Sequence, residues 1–381
     1  MLFMLWIRYR KMTEKKINYQ FKILYAFAMI MIVCNHASGG GLPLLFNWFP
    51  IEVSSVEIFV FGAGYFYSEK NEDKVVSYTK NKIIKLLIPL YLWNMFYGIF
   101  TTIISNFGFN LGMKMTLNTL FIQPIINGHQ FDFNMASWFV APLFLAEIVY
   151  VLLRKMIKNI NNTFIAETVF VVVLFGIGIM GLYVASLKIE SAIVLLLERT
   201  TFFLPFYGLG YYYRKYLEDR DTSSNTVYLG TLFVITAIIL LLYGHIPGAA
   251  PSSMQFYEDG LIIPFATAVV GIAFYLRLAR VLEPIIGHSK LVNDIADNSF
   301  SIMVNQFLGF AVLNAIYCIL WAKAGIFKDF SLEMFKNYIF YLYLPKEVDN
   351  FKILYVVFGL VIPIYMQKTV NAIKERFLQN A

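Results

Sequence analysis

Long apolar segments alternate with short polar stretches along the whole chain. Each apolar segment is close to the length of about 20 residues that a helix needs to cross the hydrocarbon core of a bilayer. There are ten, at residues 21–38, 51–68, 84–105, 136–153, 168–187, 191–213, 227–244, 260–277, 299–321 and 352–371. The pattern predicts an all-α, polytopic integral membrane protein with about ten transmembrane helices.

Lysine and arginine concentrate in every second polar stretch. The stretch 69–83 carries four lysines, whereas 39–50 and 245–259 carry neither lysine nor arginine. Basic residues favour the cytoplasmic side of a membrane, so both termini are predicted to be cytoplasmic. The loop 322–351 carries four lysines but also four acidic residues, and we expect it to form a small solvated outer loop.

The composition indicates that little of the chain lies outside the bilayer. Hydrophobic residues make up 59% of the 381 residues and charged residues 14%, below the roughly 25% charged residues of a soluble domain. The net charge of +7 lies at the ends of apolar segments, which indicates contact with the bilayer and not with nucleic acid. We expect one membrane-embedded domain over 1–381, with a basic cytoplasmic N-terminus at 1–20 and a cytoplasmic tail at 372–381. No small-residue cleavage site follows 21–38, so this segment is expected to be retained.

Familiar nucleotide, hydrolase and metal motifs do not occur in the sequence. There is no P-loop, GxSxG or HExxH pattern. Cys34 and Cys318 both lie in apolar segments, as buried free thiols do. No metal site and no bound cofactor are therefore expected.

The first apolar segment ends in a histidine and a Gly-rich turn at 38–41. His36 lies about 20 Å beyond Ile23 along a helix, where the apolar helix meets water on the outer side. Two interpretations are open at this point. His36 is either an interfacial anchor or a base at the mouth of a membrane cavity.

Two adjacent carboxamides, Asn305 and Gln306, lie inside segment 299–321. Such groups need hydrogen-bond partners on a neighbouring helix or in a cavity. Interhelical hydrogen bonding is the simpler interpretation. In an enzyme, these residues and Asn35 are candidates to donate to an oxyanion.

Charged residues in apolar segments are costly and are often functional. Arg199 follows Glu198 in segment 191–213 and is either an interfacial residue or a clamp for an anionic group. Lys82 and Lys85 share one helix face at the cytoplasmic side. They suit the phosphates of a donor such as coenzyme A, although simple anchoring at the membrane surface also explains them.

A polar cluster precedes segment 136–153 on the outer side. His129, Asp132 and Trp138 lie within ten residues of one another. A sugar could bind there through hydrogen bonds to the first two side chains and stacking on Trp138. The alternative is an ordinary loop in which Asp132 stands at a helix entry.

The ordered succession of several motifs resembles the acyltransferase 3 family of integral-membrane acyltransferases. The motifs run from Tyr25 to His36, then through Phe59–Phe66 and Lys80–Tyr91, and three further matches follow in the family's order, at Trp138–Leu145, Leu204–Tyr211 and Ser299–Met303. The resemblance covers nearly the whole chain. It implies transfer of an acyl group, often acetyl, from a cytoplasmic donor to a hydroxyl of a cell-envelope glycan.

The resemblance also implies roles for individual residues. His36 matches the histidine regarded as the family's catalytic centre. Tyr25 stands where the family usually has arginine, Lys82 and Lys85 where it commonly has arginines, and Gln306 where histidine is common. We assign Tyr25, Lys82, Lys85 and Arg199 to the donor, and His129, Asp132 and Trp138 to the acceptor.

The resulting hypothesis is an O-acyltransferase of a bacterial plasma membrane. Its donor substrate is acetyl-CoA or another acyl-CoA, its acceptor is a polysaccharide or related glycan, and His36 acts as general base or acyl relay. Two alternatives remain open: a glycan exporter built on the same helices, and a catalytically silent homologue.

Overall fold

The computed structural model describes residues 17–37, 54–158, 163–256 and 259–379. Each of the ten predicted apolar segments contains a helix in its described part, so the all-α, polytopic membrane fold is confirmed. The twelve main helices are α1 Tyr19–His36, α2 Ser55–Tyr65, α3 Val75–Ser105, α4 Asp132–Ile157, α5 Phe164–Ser186, α6 Ala192–Arg220, α7 Asn225–Tyr243, α8 Ile263–Ile286, α9 Lys290–Asp297, α10 Ser299–Ala324, α11 Leu332–Asn337 and α12 Lys352–Gln379. Two short strands, β1 Ala249–Ala250 and β2 Gln255–Phe256, pair antiparallel in the loop between α7 and α8.

Eight helices in the described part of the chain are long and apolar enough to cross a membrane. The two predicted spans outside this set are α1, with 18 residues, and α2, with 11. The number of crossings and the side on which the termini lie therefore stay predictions. The Gly-rich turn at 38–41 and most of the basic N-terminus lie outside the described residues.

Three of the long helices change their winding. The helix α3 contains a π-helical turn at Ile83–Leu87, α4 begins as a 3₁₀ helix at Asp132–Phe139, and α6 ends in a π turn and a 3₁₀ turn after Tyr212. Such irregular turns are frequently found at functional sites. The first two lie beside the cavity described below.

The helix α1 lies between two hydrophobic cores. Phe21, Leu24 and Ala28 belong to a core formed with α2, α4, α5, α6 and α8, whereas Met29 and Val33 belong to one formed with α3, α10 and α12. A helix that is apolar on all sides is suited to such a central position. The position brings the C-terminal end of α1 into the interior of the bundle.

The helices α2 and α6 pack with their backbones almost touching. A Cβ atom on Gly64 would lie 1.9 Å from the carbonyl oxygen of Tyr207, and one on Gly210 would lie 1.9 Å from that of Phe61. Glycine is therefore required at both positions. Small residues let two helix backbones approach closely in this way.

The two ends of the bundle differ in polarity. We call them the Lys22 end, where α1 begins, and the His36 end, where it ends. The Lys22 end is rich in ion pairs: Lys22 with Asp297 at 2.9 Å, Arg154 with Glu72 at 3.2 Å and with Glu167 at 2.6 Å, Lys215 with Glu69 at 2.7 Å, Arg280 with Asp221 at 3.0 Å and Lys368 with Asp294 at 2.7 Å. Mutual neutralisation allows these charges to lie at the membrane.

The loop 322–351 is folded onto the His36 end. Phe330, Phe335 and Tyr343 are buried in the second core. The backbone N–H of Asn110 donates to the carbonyl of Lys336 at 2.8 Å. The loop 322–351 therefore combines charged residues with buried aromatic side chains, and it packs against the bundle as well as being solvated.

Candidate functional site

His36 is positioned by the C-terminal turn of α1. The helix begins at a side-chain cap, in which Asn18 accepts a hydrogen bond from the N–H of Phe21, and it ends where the N–H of Ala37 donates to the carbonyl of Val33. The imidazole ring lies 5.0 Å from the ring of Phe307 on α10. Helix α10 therefore packs against the His36 side chain.

One hydrogen bond fixes the protonation pattern of His36. The Nδ1 atom of His36 lies 2.9 Å from Oε1 of Gln306, whose Nε2 donates to the carbonyl of Met303 at 3.1 Å. An amide oxygen only accepts, so Nδ1 carries the proton and donates it. In the neutral ring, Nε2 is then left as an acceptor. A histidine in this state is ready to act as a base.

His36 lines a cavity of ≈ 570 Å³ that runs deep into the bundle. At the His36 end its wall includes Trp138 and the loop Gly248–Ser252, and farther in it includes Leu86 and Ser299. Along α1 the wall runs from Met29 to His36, which corresponds to about 10 Å of helix. The cavity therefore reaches from the His36 end into the interior of the bundle, with His36 in its wall.

The three candidate carboxamides occupy different places. Asn35 lines the cavity beside His36, and Gln306 bonds to His36 itself. Asn305 is fully buried, where it accepts from the hydroxyl of Tyr97 at 2.6 Å and donates to the carbonyl of Ser301 at 2.9 Å. The contact with Tyr97 joins α3 to α10, as expected for interhelical hydrogen bonding.

The candidate donor-binding residues near α3 lie just below the cavity. Lys82 forms an ion pair of 2.5 Å with Glu147 of α4, and Lys85 is exposed. Tyr25 stacks on Phe59, which lines the cavity, at 5.2 Å between ring centroids. These residues are brought together, and the Lys82–Glu147 pair was not foreseen.

Arg199 lies at the His36 end, away from Lys82. Its guanidinium donates to the carbonyls of Asn127, at 2.9 Å, and of Ser252. It also lies 4.9 Å from the ring of Trp138. Arg199 thus ties the loop 244–262 to the start of α4, and only 1% of it is exposed.

Of the candidate acceptor-binding residues, Trp138 lines the cavity. His129 and Asp132 are half-buried at the same end of the bundle. Burial, reinforced by the nearby Arg199 cation, lowers the pKa of His129 to about 4. His129 is therefore neutral at physiological pH and presents one hydrogen-bond donor and one acceptor.

Sequence reasoning missed the loop Gly248–Ser252 as part of the cavity wall. Its residues are small, and Ser252 holds Arg199 through a backbone carbonyl, which leaves no signal in residue type. Glu147 is a charged residue in the apolar segment 136–153, which by itself does not place it beneath the cavity. Its spacing of four residues from Leu143, a cavity residue, could have placed it.

The sequence pattern of the acyltransferase 3 family, described as an acyltransferase domain, matches residues 18–321. The chain belongs to the acyltransferase 3 family. The match spans α1 to most of α10 and so includes His36, Gln306 and every residue named for the cavity. No curated protein and no solved structure matches the chain. Membership indicates a multi-pass membrane protein of acyltransferase type, with an acyl donor and an acceptor as partners.

Proposed function

We propose that this acyltransferase 3 protein moves an acetyl group from a cytoplasmic acyl-CoA donor to a hydroxyl of an extracytoplasmic glycan. The observation that carries the proposal is the bond from His36 Nδ1 to Gln306 Oε1, at 2.9 Å, in the wall of a cavity that reaches into the interior of the bundle. The bond leaves Nε2 of a neutral His36 ready to accept a proton.

In this proposal two substrates meet in the cavity from opposite sides. The basic loops favour a cytoplasmic Lys22 end, where Lys82 and Lys85 would bind the donor phosphates. The acyl thioester then extends up the cavity towards His36. The glycan arrives at the His36 end, where Trp138 offers a face for stacking and His129 and Asp132 offer hydrogen bonds.

In the reaction, the acceptor hydroxyl gives its proton to Nε2 of His36 as its oxygen attacks the thioester carbonyl. Asn35, beside His36 in the cavity wall, is placed to donate to the oxyanion. The carbon–sulfur bond then breaks and His36 returns the proton to the departing thiolate. A covalent acyl-histidine relay uses the same residue in two steps, and acid quenching of the enzyme with labelled donor would trap it.

The test is the substitution His36→Ala, assayed by transfer of labelled acetyl from acetyl-CoA to surface glycan. Loss of the base is expected to lower the rate by about 10²–10⁴-fold. His288, whose ring lies 4.3 Å from that of Tyr19 at the Lys22 end, gives the control substitution His288→Ala, which is expected to keep the rate. Full activity of His36→Ala would overturn the mechanism, and glycan movement without an acetyl mark would favour an exporter.

A further inference from the structure

Three residues lie about one helical turn below the cavity wall, each on the side towards the Lys22 end. Tyr25 precedes the cavity residue Met29 by four positions, Lys82 precedes Leu86 by four, and Glu147 follows Leu143 by four. Residues four apart share a helix face, so these side chains lie directly beneath the cavity. Helices α1 and α3 run away from the Lys22 end, whereas α4 runs towards it. Four residues earlier on α1 or α3 and four residues later on α4 therefore all lie closer to the Lys22 end.

We call these side chains the floor of the cavity. Lys82 Nζ lies 2.5 Å from Glu147 Oε1 and 5.3 Å from the centroid of the Tyr78 ring. Tyr25 fits over the next helix because position 62 is glycine, where a Cβ atom would lie 2.1 Å from the Tyr25 hydroxyl oxygen. The ion pair and the tyrosine ring lie between the cavity and the Lys22 end.

The carboxylate of this pair is incompletely satisfied. The side chain of Glu147 is 2% exposed, and its Oε2 atom has no hydrogen-bond partner among the described residues, whereas the side chain of Lys82 is 24% exposed. A buried carboxylate held mainly by one lysine is costly, and its stabilising value is small compared with an apolar pair of the same size. Lys82 can instead pair with an anion that approaches from the Lys22 end.

We propose that Glu147 is a placeholder for the donor's phosphate at Lys82, and that the pair seals the cavity until the donor arrives. The proposal rests on the proposed function, because the anion that displaces Glu147 is a phosphate of the coenzyme A moiety. When the phosphate pairs with Lys82, the Lys82–Glu147 contact breaks and the floor opens for the thioester. Glu147 is thus a positioning residue that acts through Lys82.

The first test measures the seal without any substrate. A reporter cysteine replaces Leu143 in a Cys318→Ser background, and its rate of reaction with a membrane-impermeant, anionic methanethiosulfonate is followed in inside-out vesicles. Glu147→Gln is expected to speed the reaction about tenfold, equivalent to losing about 1.4 kcal/mol of closure. Glu57→Gln is the matched control, because it changes a buried glutamate on a different helix, α2. It is expected to leave the rate unchanged. Equal rates in the Glu147→Gln protein and its parent would overturn the seal.

The second test measures coenzyme A binding, and its signature is a pair of opposite shifts. Glu147→Gln removes the competitor for Lys82 and is expected to lower the Kd about tenfold, whereas Lys82→Met removes the phosphate ligand and is expected to raise it about tenfold. Lys82→Arg keeps the charge and is expected to restore binding. If the pair only stabilised the fold, Glu147→Gln and Lys82→Met would shift the Kd in the same direction.

The outcomes separate the two proposals. If coenzyme A binds the parent protein and both variants with the same affinity, the proposal that Glu147 is a placeholder is wrong and the proposed function stands. A parent protein that neither binds coenzyme A nor transfers an acyl group overturns the proposed function, and the placeholder with it.

Discussion

At the scale of single residues, the two neighbouring carboxamides of α10 have different tasks. Gln306 accepts from His36, whereas Asn305 bonds to Tyr97 and Ser301. Residue type and position made both equally good candidates in the sequence. Neighbours on a helix point about 100° apart, and only the packing of α1 and α3 around α10 decides which of the two faces His36.

Replacing Gln306 by leucine is expected to lower kcat about tenfold to hundredfold and to leave the KM values of both substrates unchanged. The reason is that Nδ1 loses the acceptor that fixes the proton, which corresponds to roughly 1–3 kcal/mol for a buried group left unpaired. The measurement is steady-state acetyl transfer by the purified protein in lipid nanodiscs.

Two variants complete this test. Gln306→His introduces a ring nitrogen that can accept from His36, so it is expected to restore kcat. Asn305→Leu breaks the interhelical bond to Tyr97 instead, and it is expected to lower the thermal unfolding midpoint more than kcat. A Gln306→Leu protein with the parent's kcat would remove Gln306 from the mechanism.

His129 gives a prediction about pH. Its pKa is lowered to about 4 by burial and by Arg199, whereas the unfolded chain binds the proton near 6.5. The free energy of unfolding should therefore keep the full contribution of neutral His129 above about pH 6.5 and lose it progressively down to about pH 4. Chemical unfolding of the parent and His129→Gln proteins at several pH values measures this loss. Identical pH slopes in the two proteins would contradict the assignment.

At the scale of elements, α1 is apolar on all its faces, and that composition is what a helix between two cores requires. The sequence predicts the helix from its length and hydropathy. Its neighbours could not be predicted, because a helix without a polar face carries no mark of which side meets which partner. The contact between His36 and Gln306, 270 positions apart, depends on that arrangement.

The contact between α2 and α6 yields a stability prediction. Gly64→Ala places a methyl group where the carbonyl oxygen of Tyr207 lies, 1.9 Å away, so the two helices must move apart. The expected cost is about 1–3 kcal/mol, typical of overpacking a close contact. The measurement is the thermal unfolding midpoint of the protein in detergent.

Gly230 of α7 serves as the matched control, since a Cβ atom there meets nothing within 4 Å. Gly230→Ala is expected to hold or raise the midpoint, because alanine favours a helix by about 1 kcal/mol over glycine. If both alanine variants unfolded at the same temperature, the backbone contact would not limit the packing of α2 on α6.

At the scale of the whole molecule, the membrane fold was predictable because a bilayer permits few backbone structures to cross it. A chain in lipid must satisfy its own backbone hydrogen bonds, so each long apolar segment is read directly as a helix. The cavity was not predictable, because its wall combines α1, α2, α3, α4 and α10 with the loop Gly248–Ser252. Arg199 illustrates the limit: its type indicated a site for an anion, whereas its observed partners are backbone carbonyls.

The pairing of Arg154 with Glu167 has a consequence for how the protein enters the membrane. The two residues lie only 13 positions apart, near the facing ends of α4 and α5, and their ion pair holds these two ends together. A lone arginine delivered into lipid is costly, but a hairpin of α4 and α5 carries its own counter-charge. The two helices are therefore suited to leave the insertion machinery as one unit, and a chain cut between them would have to expose the cation until α2 and α6 surround it.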